Sequence, residues 1–280
     1  MTTLTAPRTP AARVGRDGWL ELEFARQGDR TVLRRSAFTT PLQIMTPLAL
    51  DDPACVVSIL NPTGGVVGGD RLTIDVVAAA GAHACLTTPS ATKVYRTTGA
   101  LAEQRVRLRA ECGAVVEWVP DHTIPYAGSR YRQRLEAHVA DGAALVLVDA
   151  FSAGRVASGE CWRFGYLESQ VSVVDAAGAI VYDRFAISGG DDWQQLGFAE
   201  SHTYFASILA IGEVDADRLA VELDRLSAAA AVVATARLQR RGVLARCLAA
   251  DAPSLGSVVD AAWTVARAAL GLPRLGLRKP

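Results

Sequence analysis

Apolar and polar side chains alternate along most of the chain, from residue 18 to about residue 204. The segments 20–24, 72–76 and 105–109 show this alternation most clearly. Successive side chains of a strand point to opposite faces, so a period of two predicts strands with one buried face. Because one-sided alternation is typical of antiparallel sheets, we predict a mainly β body with antiparallel strand pairing.

A glycine followed by alanine and an apolar segment recurs at Gly81, Gly113, Gly142 and Gly178. These glycines are 32, 29 and 36 residues apart, and a polar or alternating segment precedes each of them. A repeated unit of strand, glycine turn and strand predicts β structure that coils or stacks hairpins. Since the spacing is irregular, a series of ordinary hairpins remains an alternative. We therefore predict an irregular coiled or stacked antiparallel sheet.

Helical periodicity occurs only near the C-terminus. Leucines spaced at i, i+4 and i+7 within residues 215–227, and an apolar stripe over residues 255–270, predict two helices. Residues 231–238 and 242–248, which lie between these helices, have the pattern of two strands joined at a pair of arginines. The four elements would form a small α/β cap, with two C-terminal helices, on the β body.

No linker-like sequence separates the β body from the cap, so we predict a single domain over residues 18–280. Residues 1–17 are rich in Thr, Pro, Ala and Arg and contain no apolar segment typical of a signal peptide. We predict that they form a flexible N-terminal tail.

Composition argues against several classes of function. Basic and acidic residues number 29 each, so the chain lacks the basic excess of proteins that bind nucleic acid or anionic membranes. The five cysteines are scattered without a C-x-x-C pair, which argues against a disulfide framework and against a structural zinc site. The longest apolar run, residues 228–234, is far too short to span a membrane. We expect a soluble cytoplasmic protein.

Residues 61–70 form a glycine-rich run, N-P-T-G-G-V-V-G-G-D. Gly64 and Gly69 have the separation of a P-loop, but Asp70 and Arg71 stand where that loop requires Lys and Ser or Thr. A carboxylate at this place would repel a phosphate, which excludes the nucleotide interpretation. Glycines also serve where the backbone needs positive φ or close approach. We therefore interpret the run as a tight backbone feature that leaves space beside Asp70.

Ser90-Ala91-Thr92-Lys93 matches the S-x-x-K nucleophile motif of serine β-lactamases and penicillin-binding proteins. The S-D-N and K-T-G tripeptides that accompany this motif do not occur in the sequence. The four histidines form no H-E-x-x-H motif, which disfavours a catalytic zinc site. A serine hydrolase that uses Ser90 and Lys93 remains an alternative function.

Several carboxylates interrupt strongly apolar segments. They are Asp70, Glu117, Asp121, Asp149 and Asp183, and His122 follows the third of them. A buried carboxylate is costly unless it is paired, hydrogen-bonded or bound to a cation. Two hypotheses follow. Salt bridges with nearby arginines would make the protein a purely structural adaptor, whereas a polar, water-filled path would suit a weakly held divalent ion.

Together, these residues make the chain resemble the urease accessory protein D family, called UreH in some organisms. The resemblance rests on residues 61–70, 87–96 and 117–120, and on Gly154-Arg155 followed by Ser158-Gly159-Glu160. These blocks keep the family's order, and the similarity extends from the first predicted strand into the C-terminal cap. The Asp121-His122 pair departs from the Gln-Glu that is frequent in the family.

This resemblance implies a non-enzymatic role in a hetero-oligomeric complex. Proteins of the family bind apo-urease, recruit UreF and, through UreF, the GTPase UreG. They are thought to conduct nickel through an internal tunnel into the urease active site, so nickel would be bound transiently and no cofactor tightly. The family fold is mostly β, with an irregular coiled sheet and two helices, which implies one UreD-like domain here.

The resemblance also implies two sets of functional residues. Tunnel candidates carried over by motif position are Asp70, Thr92, Asp149 and Asp183, with His83 as an addition. His122, which stands where this chain departs from the family pattern, is a further candidate for the polar path. Residues expected to hold the loops that shape the surface for UreF or urease are Lys93, Tyr95, Arg96, Arg155 and Glu160.

Overall fold

The computed structural model describes residues 16–48, 50–191, 193 and 195–277. Strands dominate these residues, which confirms the predicted mainly β class. The strands and helices, with one short 3-10 turn at Val156–Ser158, are β1 (Asp17–Gln27), β2 (Arg30–Phe38), β3 (Gln43–Ile44), β4 (Cys55–Leu60), β5 (Arg71–Ala78), β6 (His83–Thr87), β7 (Thr92–Val94), β8 (Ala102–Ala110), β9 (Val115–Val119), β10 (Thr123–Pro125), β11 (Arg130–Val139), β12 (Ala144–Ser152), β13 (Tyr166–Asp175), β14 (Gly178–Ser188), β15 (Tyr204–Ile211), α1 (Ala216–Asp224), β16 (Ala231–Arg237), β17 (Gly242–Ala249) and α2 (Ala252–Ala269).

The strands form two stacked sheets, and the chain passes back and forth between them. A seven-stranded sheet has the order β14-β13-β11-β8-β5-β1-β2. The ten-stranded sheet has the order β16-β17-β15-β12-β9-β6-β4-β3, with the short strands β10 and β7 attached beside β12. Strands β5, β8 and β11 each lead through a turn into β6, β9 and β12 of the other sheet. The central body is therefore a coil of two sheets, as the glycine repeat predicted.

Three of the four repeat glycines make the turns of this coil. Gly81, Gly113 and Gly142 have φ values of +67°, +65° and +66°, a region that glycine adopts without steric cost. The turns stack, because the N–H of Gly81 donates to the carbonyl of Cys112 and the N–H of Gly113 to that of Asp141. The fourth glycine, Gly178, instead begins the second strand of the β13–β14 hairpin.

The predicted antiparallel pairing is wrong for the centre of the body. Strands β1, β5, β8, β11 and β13 pair in parallel, as do β4, β6, β9 and β12. Each strand lies beside the strand one full coil earlier, and such neighbours run in the same direction. Antiparallel pairs occur at the sheet margins, for example β1–β2, β13–β14 and β15–β17. Alternation could not distinguish the two arrangements, because the parallel strands of the seven-stranded sheet also have one core face and one outer face.

The core has two parts, one on each face of the ten-stranded sheet. Apolar side chains such as Phe24, Val106 and Leu147 fill the space between the two sheets. The other part, which includes Ile208 and Trp263, lies beneath the helices. Both helices occur where periodicity predicted them, and the carboxylates of Asp215 and Asp251 cap their first turns.

The predicted cap is continuous with the body rather than a separate layer. Strands β16 and β17 extend the ten-stranded sheet at its margin, and α1 and α2 cover its outer face. Residues 1–15 of the predicted tail lie outside the described residues, whereas Asp17 already begins β1. Within the described part of the chain, neither helix has the length and apolar character needed to cross a bilayer. The division into one domain and a tail stays a prediction.

Candidate functional site

Polar side chains occupy one level of the otherwise apolar space between the sheets. Gln104, Gln133 and Ser169 are register neighbours on β8, β11 and β13. Asp149, Ser207 and Arg246 are register neighbours on β12, β15 and β17 of the opposite sheet. We call these six residues the polar layer. Four of the six are buried, namely Gln133, Asp149, Ser169 and Ser207. Burying polar groups is costly unless they bond to one another, so the layer marks a functional candidate.

Asp149 joins the two halves of the polar layer. Its carboxylate is 6% exposed, and it accepts hydrogen bonds from Gln133 Nε2 at 2.7 Å and from Ser169 Oγ at 2.6 Å. The amide of Gln133 is itself oriented, since its Oε1 accepts from Tyr131 at 3.2 Å and from Gln104 at 3.3 Å. Burial raises the pKa of Asp149 to about 6, even though these two hydrogen bonds oppose the rise.

An internal cavity of about 60 Å³ lies on one side of Asp149. Because a water molecule needs roughly 10–15 Å³ of such space, the cavity has room for a few waters. Its polar lining residues are Asn61, Thr88, Thr92, Gln104, Asp121, Thr123, Gln133 and Asp149. The structure thus brings together two predicted path residues, Thr92 and Asp149, and extends the cavity to the start of the glycine-rich run.

An open pocket of about 300 Å³ lies on the other side of Asp149. Five aromatic rings dominate its wall, so we call it the aromatic pocket. These rings belong to Trp162, Phe185, Trp193, Phe198 and Phe205, and Asp149 and Arg246 also line the pocket. Asp149 is therefore shared by the internal cavity and the aromatic pocket, which opens at the seam between the sheets. Carboxylate and hydroxyl oxygens of this kind are ligands that suit a hard or borderline divalent cation.

Asp183 lies beside the aromatic pocket rather than in the internal cavity. Its carboxylate accepts a hydrogen bond from Arg246 Nη2 at 2.6 Å, which links β14 to β17 across the seam. Its negative charge contributes to the raised pKa of Asp149, after the larger effect of burial. The structure therefore places Asp183 near Asp149, as the predicted path requires, but in an ion pair.

Asp70 does not line the internal cavity. Its buried carboxylate accepts from the N–H of Val67 at 2.9 Å and from the N–H of Arg16 at 2.8 Å. These bonds close the glycine-rich run onto the start of β1. A Cβ at Gly65 would lie only 2.5 Å from the carbonyl oxygen of Lys93, so close backbone approach explains that glycine. In this geometry Asp70 holds the loop, and its predicted role in the path has no contact to support it.

His83 belongs to a second polar cluster beneath helix α2. The cluster, which we call the buried ionic network, consists of Asp52, His83, Glu117, Trp263 and Arg267. Glu117 bonds to His83 Nε2 at 2.5 Å, to Trp263 Nε1 at 2.5 Å and to Arg267, which also donates to Asp52 at 2.6 Å. Burial alone would raise the pKa of Glu117, but its bond to His83 and the charges of His83 and Arg267 lower it.

His122 lies near the cavity but packs against an aromatic ring. Its imidazole meets the ring of Tyr204 edge to face, with the ring centres 5.5 Å apart. Within the described part of the chain, no three or more His, Cys, Asp or Glu side chains converge in a way that could hold a metal ion. The internal cavity instead offers the carboxylates of Asp121 and Asp149 together with neutral oxygens.

The predicted surface residues gather around Tyr126, next to the glycine-rich run. Tyr95 packs edge to face on Tyr126 with ring centres 5.2 Å apart, and it donates to the carbonyl of Gly64 at 3.2 Å. The guanidinium of Arg155 lies 4.6 Å from the centre of the Tyr126 ring and bonds to Glu160 at 2.5 Å. Lys93 and Arg96, on either side of Tyr95, are exposed to solvent. Their partners in binding stay a prediction.

The hydrolase alternative lacks the geometry of its motif. Ser90 and Lys93 are both exposed, and Lys93 lies in the extended strand β7. Ser90 lies in the bend before β7, so the two residues do not share the helical turn that would place i and i+3 on one face. No hydrogen bond between the two side chains occurs among the described residues. This surface offers nothing that activates the Ser90 hydroxyl.

Sequence reasoning missed most of the polar layer, although a signal was present. In β8, β11 and β13 the inward positions include Ala102 and Gln104, Tyr131 and Gln133, and Leu167 and Ser169. In each of these three strands the second inward residue of the pair is thus polar. Arg267 was also missed, although it interrupts the apolar stripe of α2 four residues after Trp263.

Comparison with known proteins confirms the resemblance found in the sequence. A family model described as UreD urease accessory protein matches residues 16–279. The chain is 38% identical over 224 residues to the urease accessory protein UreD of Deinococcus radiodurans, covering 79% of this chain and 80% of that protein. It is 32% identical over 272 residues to the UreD of Alkalilimnicola ehrlichii, covering 96% of this chain and 92% of the relative. It is 34% identical over 294 residues to that of Cupriavidus pinatubonensis, covering 97% and 98%. The chain therefore belongs to the UreD family of urease accessory proteins.

Proposed function

We propose that this protein acts in urease maturation as a cytoplasmic, non-enzymatic scaffold. In this role it binds apo-urease, recruits UreF and, through UreF, the GTPase UreG, and conducts nickel toward the urease active site. Membership of the UreD family supports the maturation role. The single observation that carries the conduction step is the position of Asp149 between the internal cavity and the aromatic pocket.

The composition of the polar layer suits conduction better than storage. A divalent ion at Asp149 would meet one carboxylate, and the neutral oxygens of Thr88, Thr92 and Thr123 line the adjoining cavity. Few charged ligands hold a divalent ion weakly, and weak binding lets the ion leave. The pKa of about 6 leaves most Asp149 carboxylates ionised at neutral pH, so the side chain can attract a cation.

We expect the Asp149→Asn variant to lower urease activation about tenfold, because it removes the negative charge that stabilises the ion between the two compartments. The asparagine keeps the size of the side chain and can bond to both Gln133 and Ser169. Urease activity and nickel content would be measured in cells that express urease with all its accessory proteins. Co-purification of UreF and apo-urease with the variant should remain normal.

The matched control is Asp75→Asn, which removes a carboxylate from the outer face of β5, where Asp75 pairs with Arg107. This variant should activate urease as the wild type does. Normal activation by the Asp149→Asn variant would contradict the path and favour a purely structural adaptor. Loss of UreF or apo-urease from the purified complex would show that the effect arises from assembly instead.

A further inference from the structure

The polar layer ends in an ion pair at the seam between the two sheets. Arg246 is the outermost residue of the row Asp149–Ser207–Arg246, and its side chain is 54% exposed. Its Nη2 donates to Asp183 Oδ1 at 2.6 Å, and its Nη1 lies 3.4 Å from Ser207 Oγ. Since β17 and β14 belong to different sheets, this ion pair closes the seam beside the aromatic pocket.

The guanidinium of Arg246 places a permanent positive charge where a cation would have to pass. Of the described residues that line the aromatic pocket, Asp149 and Arg246 are the charged ones. An ion that enters from solvent therefore approaches Arg246 before it reaches Asp149. Asp183 pairs with Arg246 but is only 15% exposed, against 54% for Arg246, so an ion from solvent meets the positive member of the pair first. Arginine side chains in pores exclude cations by this kind of electrostatic barrier.

We propose that Arg246 is a charge barrier that keeps free divalent cations from reaching Asp149 through the aromatic pocket. This inference rests on the proposed path and adds a residue that determines which ions may use it. A free ion in solution is repelled at the seam, and the Arg246–Asp183 pair must open before an ion can pass. Asp183 then holds the side chain of Arg246 in place through the ion pair. Its carboxylate can bind the cation only when Arg246 moves away.

A purely structural role for Arg246 makes a different prediction. The Arg246–Asp183 pair could simply tie the two sheets together, in which case its loss would lower stability without changing cation binding. Lysine keeps the positive charge but lacks the planar fork of arginine, so Arg246→Lys separates charge from hydrogen-bond geometry. Arg246→Gln removes the charge and keeps a hydrogen-bonding group.

The test is the affinity of the purified full-length protein for Ni²⁺, with nickel chloride alone as the probe in isothermal titration calorimetry. We expect Arg246→Gln to bind Ni²⁺ about fivefold more tightly than the wild type, because a repulsive charge is removed and Asp183 is released. Arg246→Lys should bind as the wild type does, and Arg246→Gln combined with Asp149→Asn should lose the gain. The matched control is Arg237→Gln on the neighbouring strand β16, which breaks the exposed pair of Arg237 with Asp217 of α1.

If the wild type and Arg246→Gln bind Ni²⁺ with equal affinity, or if neither binds it detectably, the proposed barrier is wrong. The proposal is also wrong if Arg246→Lys gains the same affinity for Ni²⁺, since the loss of positive charge would then not be the cause. Thermal unfolding of each variant shows whether a loss of binding comes from a loss of folding. Failure of this test leaves the activation result for Asp149→Asn intact, so the barrier and the path can fail separately.

Discussion

The Arg267→Met variant should lose about 3–5 kcal/mol of its free energy of unfolding, because it removes the cation from a buried ionic network. Arg267 and Glu117 are fully buried, and Arg267 also bonds to Asp52 and to the carbonyl of Pro273. Methionine fills much of the same volume, so the loss measures uncompensated charge rather than a cavity. Both carboxylates would then remain in the interior without the guanidinium, and of the bonds from α2 to Glu117 only that of Trp263 would remain.

Urea unfolding of the purified protein measures this loss as a lower urea concentration at the midpoint of unfolding. The matched control is Arg218→Met, which removes an exposed arginine that pairs with Glu222 one turn along α1. That change should cost no more than about 0.5 kcal/mol. Adding Glu117→Gln to Arg267→Met should recover part of the loss, since one orphaned charge is removed. A midpoint for Arg267→Met close to that of the wild type would contradict this account of the network.

A second large effect concerns the pH dependence of stability at Asp149. We expect the stability of the wild type relative to Asp149→Asn to fall by about 3 kcal/mol as the pH rises from below 4 to 7. The pKa of Asp149 is raised from 3.8 to about 6 by burial, so the folded protein binds this proton more tightly than the unfolded chain does. The stabilisation is therefore complete below the ordinary pKa and is lost as the pH rises through 6.

This profile requires urea unfolding of both proteins at several pH values, with the difference between them as the readout. Other titrating groups are common to both proteins and cancel in that difference. The matched control for the loss of a carboxylate is Asp75→Asn, which removes one from an outer-face ion pair. A difference that does not change with pH would mean that Asp149 is less buried than its contacts indicate. The cost at neutral pH is typical of a charge kept for function.

The sequence predicted those features whose signals are local. The strands of the β body, the glycine turns and both helices follow from alternation, recurring glycines and helical apolar spacing within a few residues. Parallel pairing could not be predicted, since it depends on which strands the coil brings together. The polar layer needed the register of three coils, because Gln104, Gln133 and Ser169 are neighbours only when those coils align.

The candidate site was predicted only in part, because its contacts also join residues that lie far apart in the sequence. Thr92 and Asp149 do line one cavity, and Asp183 lies near Asp149, but Asp70 holds the glycine-rich run instead. A carboxylate after a glycine run has the same local pattern whether it faces a cavity or caps its own loop. The partner of Arg267 could not be found locally either, since Glu117 is 150 residues away in the sequence.

The central claim, that nickel passes Asp149 inside the protein, is tested most directly by nickel transfer in the presence of a chelator. The complex of this chain with UreF and nickel-loaded UreG would be mixed with apo-urease in excess EDTA, and urease-bound nickel would be followed with time. The account predicts transfer that resists EDTA in the wild type and is about tenfold slower with Asp149→Asn. Transfer that EDTA abolishes in the wild type, or an equal rate with Asp149→Asn, would contradict it.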